Sequence, residues 1–188
     1  MAGRVCPVWV GYLLINPLRK LMENPRKILG SFVRPGMTVL EPGSGMGYFT
    51  LPLAEMVGPQ GKVVVIDIQP KMLAGLERRA RRAGLAGRLD LRLAQNGSMG
   101  LGDLPGKVDF AAALHLVHEV PDQEMFFKEV HKALRPGAKL LVIEPKGHVS
   151  KEAFAKMNSM AQSAGLRRDE QFEPKSGHKA LYSKAAAE

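Results

Sequence analysis

"VLEPGSGMGYFT", residues 39–50, carries an apolar run into an acid and then sets Gly43, Gly45 and Gly47 on alternate positions. So many bare residues in so short a stretch leave the main chain open to close approach by a ligand. The apolar run "MTVLE" predicts a short buried strand, and "GYFTLPLAEMVG" predicts a helix stopped near Gly58-Pro59. A strand, a glycine turn and a helix in that order form a ligand loop in open α/β sheets. The spacing is not that of a dinucleotide fingerprint, because the third glycine comes one place early. Glu41, just ahead of the loop, is also a poor neighbour for a pyrophosphate. It suits a ligand with a cationic part.

Outward from this loop, apolar runs alternate with helical patterns. "KVVVID" (Lys62 to Asp67) is the strongest strand, and "PKMLAGLERRARRAGL" follows as a helix with Pro70 in its first turn. "RLDLRLA" and "KVDFAAALHL" read as the third and fourth strands. "DQEMFFKEVHKAL" reads as a helix capped by Asp122 that ends before Arg135-Pro136-Gly137. "AKLLVIE" is the fifth strand, and "SKEAFAKMNSMAQSAG" is a helix opened by Ser150 and closed by Gly165. The tail holds two strands joined through Pro174 to Gly177. Near-continuous apolar strands alternating with helices predict a mostly parallel sheet covered on both faces, a doubly wound α/β domain. Its closing strand pair is expected to be antiparallel. Residues 1–31 are expected to stand apart as a helical cap, with Asn16-Pro17 and Asn24-Pro25 as two helix starts; residues 32–188 form the main domain.

The chain has 188 residues, 45% hydrophobic and 24% charged, which suits one globular domain with a full core. Its net charge of +9 raises nucleic acid, anionic lipid and acidic partners as options without choosing among them. The single cysteine, Cys6, excludes an intrachain disulfide and a Cys-x-x-Cys metal cluster, so no metal is expected. The apolar stretch Val5 to Ile15 is broken by Pro7 and Gly11 and falls short of the ~18 residues of a membrane span. No clean signal-peptide pattern follows it, and a cytoplasmic protein is expected.

"VLEPGSGMGYFT" resembles the first motif of the class I S-adenosylmethionine-dependent methyltransferases. "VVVIDIQPKML" resembles their second motif, with the acid that holds the ribose diol at the strand end. "LAQNGSM" occupies the adenine loop, with Asn96 where members of that family usually carry Asp. "VDFAAALHLVHEVPD" and "LRPGAKLLVIEP" resemble the fourth-strand and fifth-strand motifs. The resemblance runs in order from about Pro35 to Pro145, and is closest to the group that contains ubiquinone/menaquinone-biosynthesis methyltransferases. It implies a Rossmann-like, right-handed sheet of about seven strands with an antiparallel last strand. It implies S-adenosylmethionine as cofactor, with Glu41, Gly43, Ser44, Gly45, Gly47, Asp67, Ile68, Asn96, Gly97 and Leu114 around it.

Methyl transfer needs alignment and exclusion of water, and a base only where the acceptor must lose a proton. His115, ending the fourth strand, is the first candidate for the acceptor pocket. His118 and Glu119 follow it, and Tyr48 stands just after the glycine loop. Glu144, ending the fifth strand, either holds a helix N-terminus or touches substrate. The segment "CPVWVGYLLINPLRKLM", with Trp9 and Tyr12, reads as an apolar lid over the acceptor, as plain packing on the sheet edge, or as a docking element. The arginines 78, 79, 81, 82 and 88 read as a solvated helix face, with phosphate tracking as the alternative.

The leading expectation is methyl transfer to a small, partly apolar acceptor, with the oligomeric state open. RNA methylation is the second reading, favoured by charge. Against it stand the lack of an appended RNA-binding domain, of an Asn/Asp-Pro-Pro-Tyr/Phe motif and of a Pro-Cys nucleophile. A single cysteine argues against arsenite chemistry. A degenerate cofactor-binding subunit is the non-enzymatic reading, and the intact Glu41, glycines and Asp67 speak against it.

Overall fold

The structure is a computed structural model that describes residues 19, 23–95, 97–172 and 177–186. The chain divides into two compact units at about residue 95. In the first, a short helix α1 (Pro25–Leu29) precedes β1 (Thr38–Pro42), α2 (Thr50–Val57), β2 (Lys62–Asp67), α3 (Pro70–Arg82) and β3 (Leu89–Leu93). Asn24 caps α1, its side chain accepting from the Arg26 and Lys27 amides. That is the helix start expected from Asn24-Pro25. The one expected at Asn16-Pro17, together with Trp9, Tyr12 and all of the expected lid except Arg19, lies outside the described residues. β2 pairs in parallel with β1 on one side and β3 on the other. The β-branched run Val63 to Ile66 is buried on both faces, which explains why no polar alternation interrupts it. α2 ends at Gly58, which takes φ 68°, and α3 opens on Pro70 in its first turn.

The second unit holds β4 (Val108–Leu114), α4 (Gln123–Ala133), β5 (Leu134–Glu144), α5 (Lys151–Ser163), β6 (Leu166–Arg168) and β7 (His178–Lys184). Asp122 caps α4 by accepting from the Met125 amide, and Ser150 caps α5 by accepting from the Ala153 amide. Both caps match the expectation from sequence. β5 begins four residues earlier than "AKLLVIE": Leu134 already pairs with Val108, and the register then shifts before Phe110 meets Lys139. Arg135-Pro136-Gly137 is therefore an irregularity within the strand's pairing rather than a break ahead of it. β7 is antiparallel to both β5 and β6.

The seven strands form one sheet in the order β3-β2-β1-β4-β5-β7-β6. It is mostly parallel with β7 reversed, the Rossmann-like doubly wound arrangement expected. Within the second unit, Phe110, Phe127, Leu140, Leu141, Tyr182 and Met157 fill the core, each at most 2% exposed. No described helix is long and apolar enough to cross a membrane.

Candidate active site

The glycine loop turns on residues whose backbone conformation disfavours a side chain. Gly43, Gly45 and Gly47 have φ of 72°, 53° and 83°, the left-handed region that costs other residues strain. At Gly47 space is short as well: an added Cβ would lie 2.3 Å from the Leu76 side chain of α3. The loop is tied to β2, since the Gly43 amide donates to the Ile66 carbonyl at 2.7 Å. It is also tied to Asp67, whose Oδ2 accepts from the Gly45 amide and whose Oδ1 accepts from the Gln69 amide, both at 2.9 Å. Burial pushes the Asp67 carboxyl up, and these amides pull it part of the way back.

Glu41, at the carboxyl end of β1, is 2% exposed. Its Oε2 has no hydrogen-bond partner among the described residues. Burial pushes its pKa up to about 8; the Thr50 hydroxyl nearby lowers it a little and the Asp67 charge adds to the rise. A buried carboxyl with an unused oxygen is costly unless a cation meets it. Ile68, one residue past Asp67, is 57% exposed, an apolar surface left open beside the acid. Ser44 is buried within the loop. Bare main chain, a carboxyl short of a positive partner, an acid fit for a diol and an open apolar side chain suit S-adenosylmethionine. They do not suit a pyrophosphate.

Tyr48 has another engagement. Its hydroxyl donates to the Glu23 carbonyl at 2.6 Å, and the Arg19 guanidinium lies 4.3 Å from its ring centroid. It pins the chain before β1 to the glycine loop. Arg79 departs from the solvated face expected of the arginine run. It is half-buried and donates to the Met46 carbonyl inside the glycine loop. Arg88 donates to the Ala54 carbonyl at 2.9 Å, while Arg81 pairs with Glu77 on its own helix.

In the second unit, β4 leads into the other sequence candidates. Leu114 is buried at the strand end. His115 takes φ 57°, the one described residue other than glycine with a positive φ, and its amide donates to the Ile143 carbonyl at 2.7 Å. That left-handed residue turns the chain into a short 3-10 helix, Val117–Glu119. Glu144, 2% exposed at the end of β5, meets this helix twice. Its Oε1 accepts from the Val117 amide at 2.7 Å, and its Oε2 is hydrogen-bonded to His118 Nδ1. The hydrogen bond to Glu144 raises the His118 pKa, against an opposing pull from burial. Glu119 Oε1 lies 3.9 Å from His118 Nε2. The structure thus joins His118 to Glu144, a pairing sequence reasoning did not make. Gly97 takes φ 79°, and the loop around it is held by Glu129, which accepts from the Ser98 hydroxyl and the Met99 amide. Asn96 lies outside the described residues. No group of three or more His, Cys, Asp or Glu suited to a metal occurs among the described residues.

A Rossmann-like sheet of this strand order, with a bare loop after β1 and acids ending β1 and β2, defines the class I S-adenosylmethionine-dependent methyltransferases. The chain belongs to the methyltransferase domain family, whose model matches residues 34–185. The crystal structure of a SAM-dependent methyltransferase from Aquifex aeolicus superimposes with a TM-score of 0.81 at 25% identity, over 95% of this chain and 98% of that one. The ubiquinone/menaquinone biosynthesis C-methyltransferase of Shewanella sp. (strain ANA-3) is 31% identical over 61% of this chain and 45% of its own length. A protein-L-isoaspartate O-methyltransferase from Triticum aestivum is 26% identical over 87% of this chain and 69% of its own. The chain thus spans about half the length of the biosynthetic C-methyltransferases it matches.

Proposed function

We propose that the protein transfers the methyl group of S-adenosylmethionine to a small, partly apolar acceptor. The observation that carries this reading is Glu41: a buried carboxyl with an unused oxygen beside a loop whose three left-handed glycines leave stretches of main chain bare. When bound, the cofactor supplies an electrophilic methyl on a sulfonium leaving group. Gly43, Ser44, Gly45 and Gly47 would admit its methionine part against the main chain, and Glu41 would meet its positive charge. Asp67 would accept from the ribose hydroxyls while keeping the two amide bonds that fix its orientation. Ile68, Gly97, Leu114 and the loop carrying Asn96 would flank the adenine. His115, His118 and Glu119 follow β4 and would face the acceptor. Tyr48 would act by fixing the loop rather than by touching the acceptor, since its hydroxyl is committed to Glu23.

The basic charge supports an RNA substrate less than it first suggests, because Arg79 and Arg88 are spent on main-chain carbonyls of their own unit. The cap formed by residues 1–31 and a cytoplasmic location remain part of the proposal, supported by the apolar N-terminal sequence and the single cysteine.

Calorimetry with S-adenosylhomocysteine tests the reading. Binding is expected in the low-micromolar to sub-millimolar range typical of enzyme ligands, and Asp67→Ala should weaken it by about 1–3 kcal/mol. No heat with the wild-type protein, or equal affinity in the variant, would overturn it.

A further inference from the structure

The second unit contains a cavity of about 590 Å³, lined by His118, Pro121, His148, Lys156, Met157 and Met160 among others. That volume lies within the range of small-molecule sites. Its lining combines flat apolar contacts with a cation and two imidazoles, and the His118 and His148 rings stand 5.8 Å apart.

His118 is built into the wall of this cavity in a defined state. Glu144 is a carboxylate with no exposed side-chain surface, anchored through Oε1 by the Val117 amide. Its other oxygen is hydrogen-bonded to His118 Nδ1; with Nδ1 donating to the carboxylate, the neutral imidazole has its lone pair on Nε2. Nε2 lies 3.9 Å from Glu119, beyond hydrogen-bond reach, which leaves its lone pair uncommitted to that residue. The His118 side chain is 19% exposed. The charged groups around it are Glu144 and Glu119, with His148, Lys156, Asp122 and Glu124 along the cavity. Asp122 is engaged in capping α4.

We propose that His118, oriented by Glu144, is the proton acceptor for a weakly acidic hydroxyl on the methyl acceptor, and that this acceptor occupies the cavity between His118, His148 and Lys156. The proposal rests on the methyltransferase reading and adds the acceptor's chemistry to it. In the step, the O–H bond breaks and its electron pair stays on oxygen. The proton passes to Nε2, and the resulting imidazolium is balanced by the Glu144 carboxylate. The oxyanion, or a carbon conjugated with it, forms the new bond to the methyl carbon, and the old bonding pair leaves with the cofactor's sulfur. An imidazole is a strong enough base for a phenolic or enolic hydroxyl and too weak for an aliphatic alcohol. Lys156 would stabilise the anion, and Met157 and Met160 suit an aromatic or conjugated ring. Glu144 is a positioning residue here, acting only through His118.

The experiment uses 4-nitrophenol, whose ionised form absorbs in the visible. The full-length protein with S-adenosylhomocysteine is titrated with the probe at a pH below the phenol's own pKa. A saturable phenolate band is expected with wild type. It should fall at least about tenfold in His118→Gln and in Glu144→Gln, a change of about 1.4 kcal/mol or more in the ionisation equilibrium. By NMR, the His118 imidazole should titrate above the ordinary histidine range in wild type and return toward it in Glu144→Gln. Glutamine retains an oxygen for the Val117 amide, and His118→Gln leaves that bond untouched, so either variant keeps the test open. A wild-type protein that gives no saturable band, or a band that survives in His118→Gln, overturns the proposal. Calorimetry with S-adenosylhomocysteine on the same samples separates the two readings: cofactor binding without probe ionisation sinks only the proton-acceptor role, and no cofactor binding sinks the methyltransferase reading.

Discussion

The two units build their candidate sites by opposite means. Before residue 95 the site is mostly main chain: three left-handed glycines, amides that fix Asp67, and one buried carboxyl. After it the candidate site is side chains, His118 and Glu144, brought together across 26 residues of sequence. A main-chain site depends on backbone conformation, so a side chain is strained at each left-handed glycine and is also short of space at Gly47. A side-chain site depends on tertiary register, so it tolerates small backbone errors but not loss of a partner. On the proposed function, the first would hold the cofactor and the second the acceptor.

The largest expected effect tests whether Glu41 needs a cation. Its folded pKa is raised from 4.5 to about 8, so the folded protein holds a proton that the unfolded chain gives up. Stability of the cofactor-free protein should therefore fall as pH rises from about 4.5 to 8 and level off above that. Through this one group the fall is at most on the order of 4–5 kcal/mol at about 1.4 per pKa unit. Glu41→Gln should flatten that slope in thermal melts across the range. Binding S-adenosylhomocysteine near pH 7 should expel the proton, so the measured heat should vary with buffer ionisation enthalpy, and Glu41→Gln should remove the dependence. A wild-type stability curve that matches the variant would show Glu41 to be an ordinary buried acid.

Gly47→Val comes next. It forces a β-branched residue to φ 83° and drives its Cβ into Leu76. A loss of about 3 kcal/mol in urea melts is expected from strain and overpacking together, with cofactor binding lost as well. Adding Leu76→Ala should relieve the contact but not the φ penalty. Full recovery by the double variant would mean that space, not backbone conformation, selects glycine there.

The first site was legible in sequence because main-chain geometry has a local signature. Gly43, Gly45 and Gly47 fall between a strand and a helix, and Asp67 ends the strongest strand. The strands, the caps at Asn24, Asp122 and Ser150, and the closing pair were legible for the same reason: each is set by neighbours a few residues apart. The second site was only half legible. "HLVHEVPD" and the acid of "VIEP" were visible as pieces, and His115 drew attention as the residue at the strand end. What sequence could not show is that Leu114 pairs with Ile143, which brings the end of β5 beside the turn after β4. Nor could it show that His115 takes a left-handed φ that swings Val117 and His118, rather than His115, onto Glu144. Arg79 was misread on similar grounds: helical spacing placed it with Arg78, Arg81 and Arg82, and only packing shows that it reaches the Met46 carbonyl.

Glu144→Gln sharpens the comparison on the side-chain half. The His118 pKa is raised in the folded state, so the stabilisation from its ion pair is full below the unfolded value near 6.5 and is lost as pH rises through the raised one. The variant should cost about 1–2 kcal/mol below that range and progressively less as pH rises through the raised value. A cost independent of pH would mean that Glu144 serves only the Val117 amide.

The smallest expected effect asks whether the main-chain site is self-supporting. Arg79 donates to the Met46 carbonyl between Gly45 and Gly47, and it is the one side-chain prop from α3 that touches the loop's polar backbone among the described residues. If the glycines and the Gly43 amide bond to Ile66 hold the loop alone, Arg79→Ala should bind S-adenosylhomocysteine as the wild type does. If the guanidinium selects the loop conformation, affinity should drop by about 1 kcal/mol, roughly fivefold in Kd, with little change in Tm. Arg81→Ala is the control, because Arg81 is fully exposed and pairs with Glu77 on its own helix. It lies on the same helix and removes the same charge, so a shared loss in both variants would point to long-range electrostatics and should fade with salt. A loss confined to Arg79→Ala and insensitive to salt would make the loop a joint product of glycine conformation and one long-range hydrogen bond, and would narrow the difference between the two units.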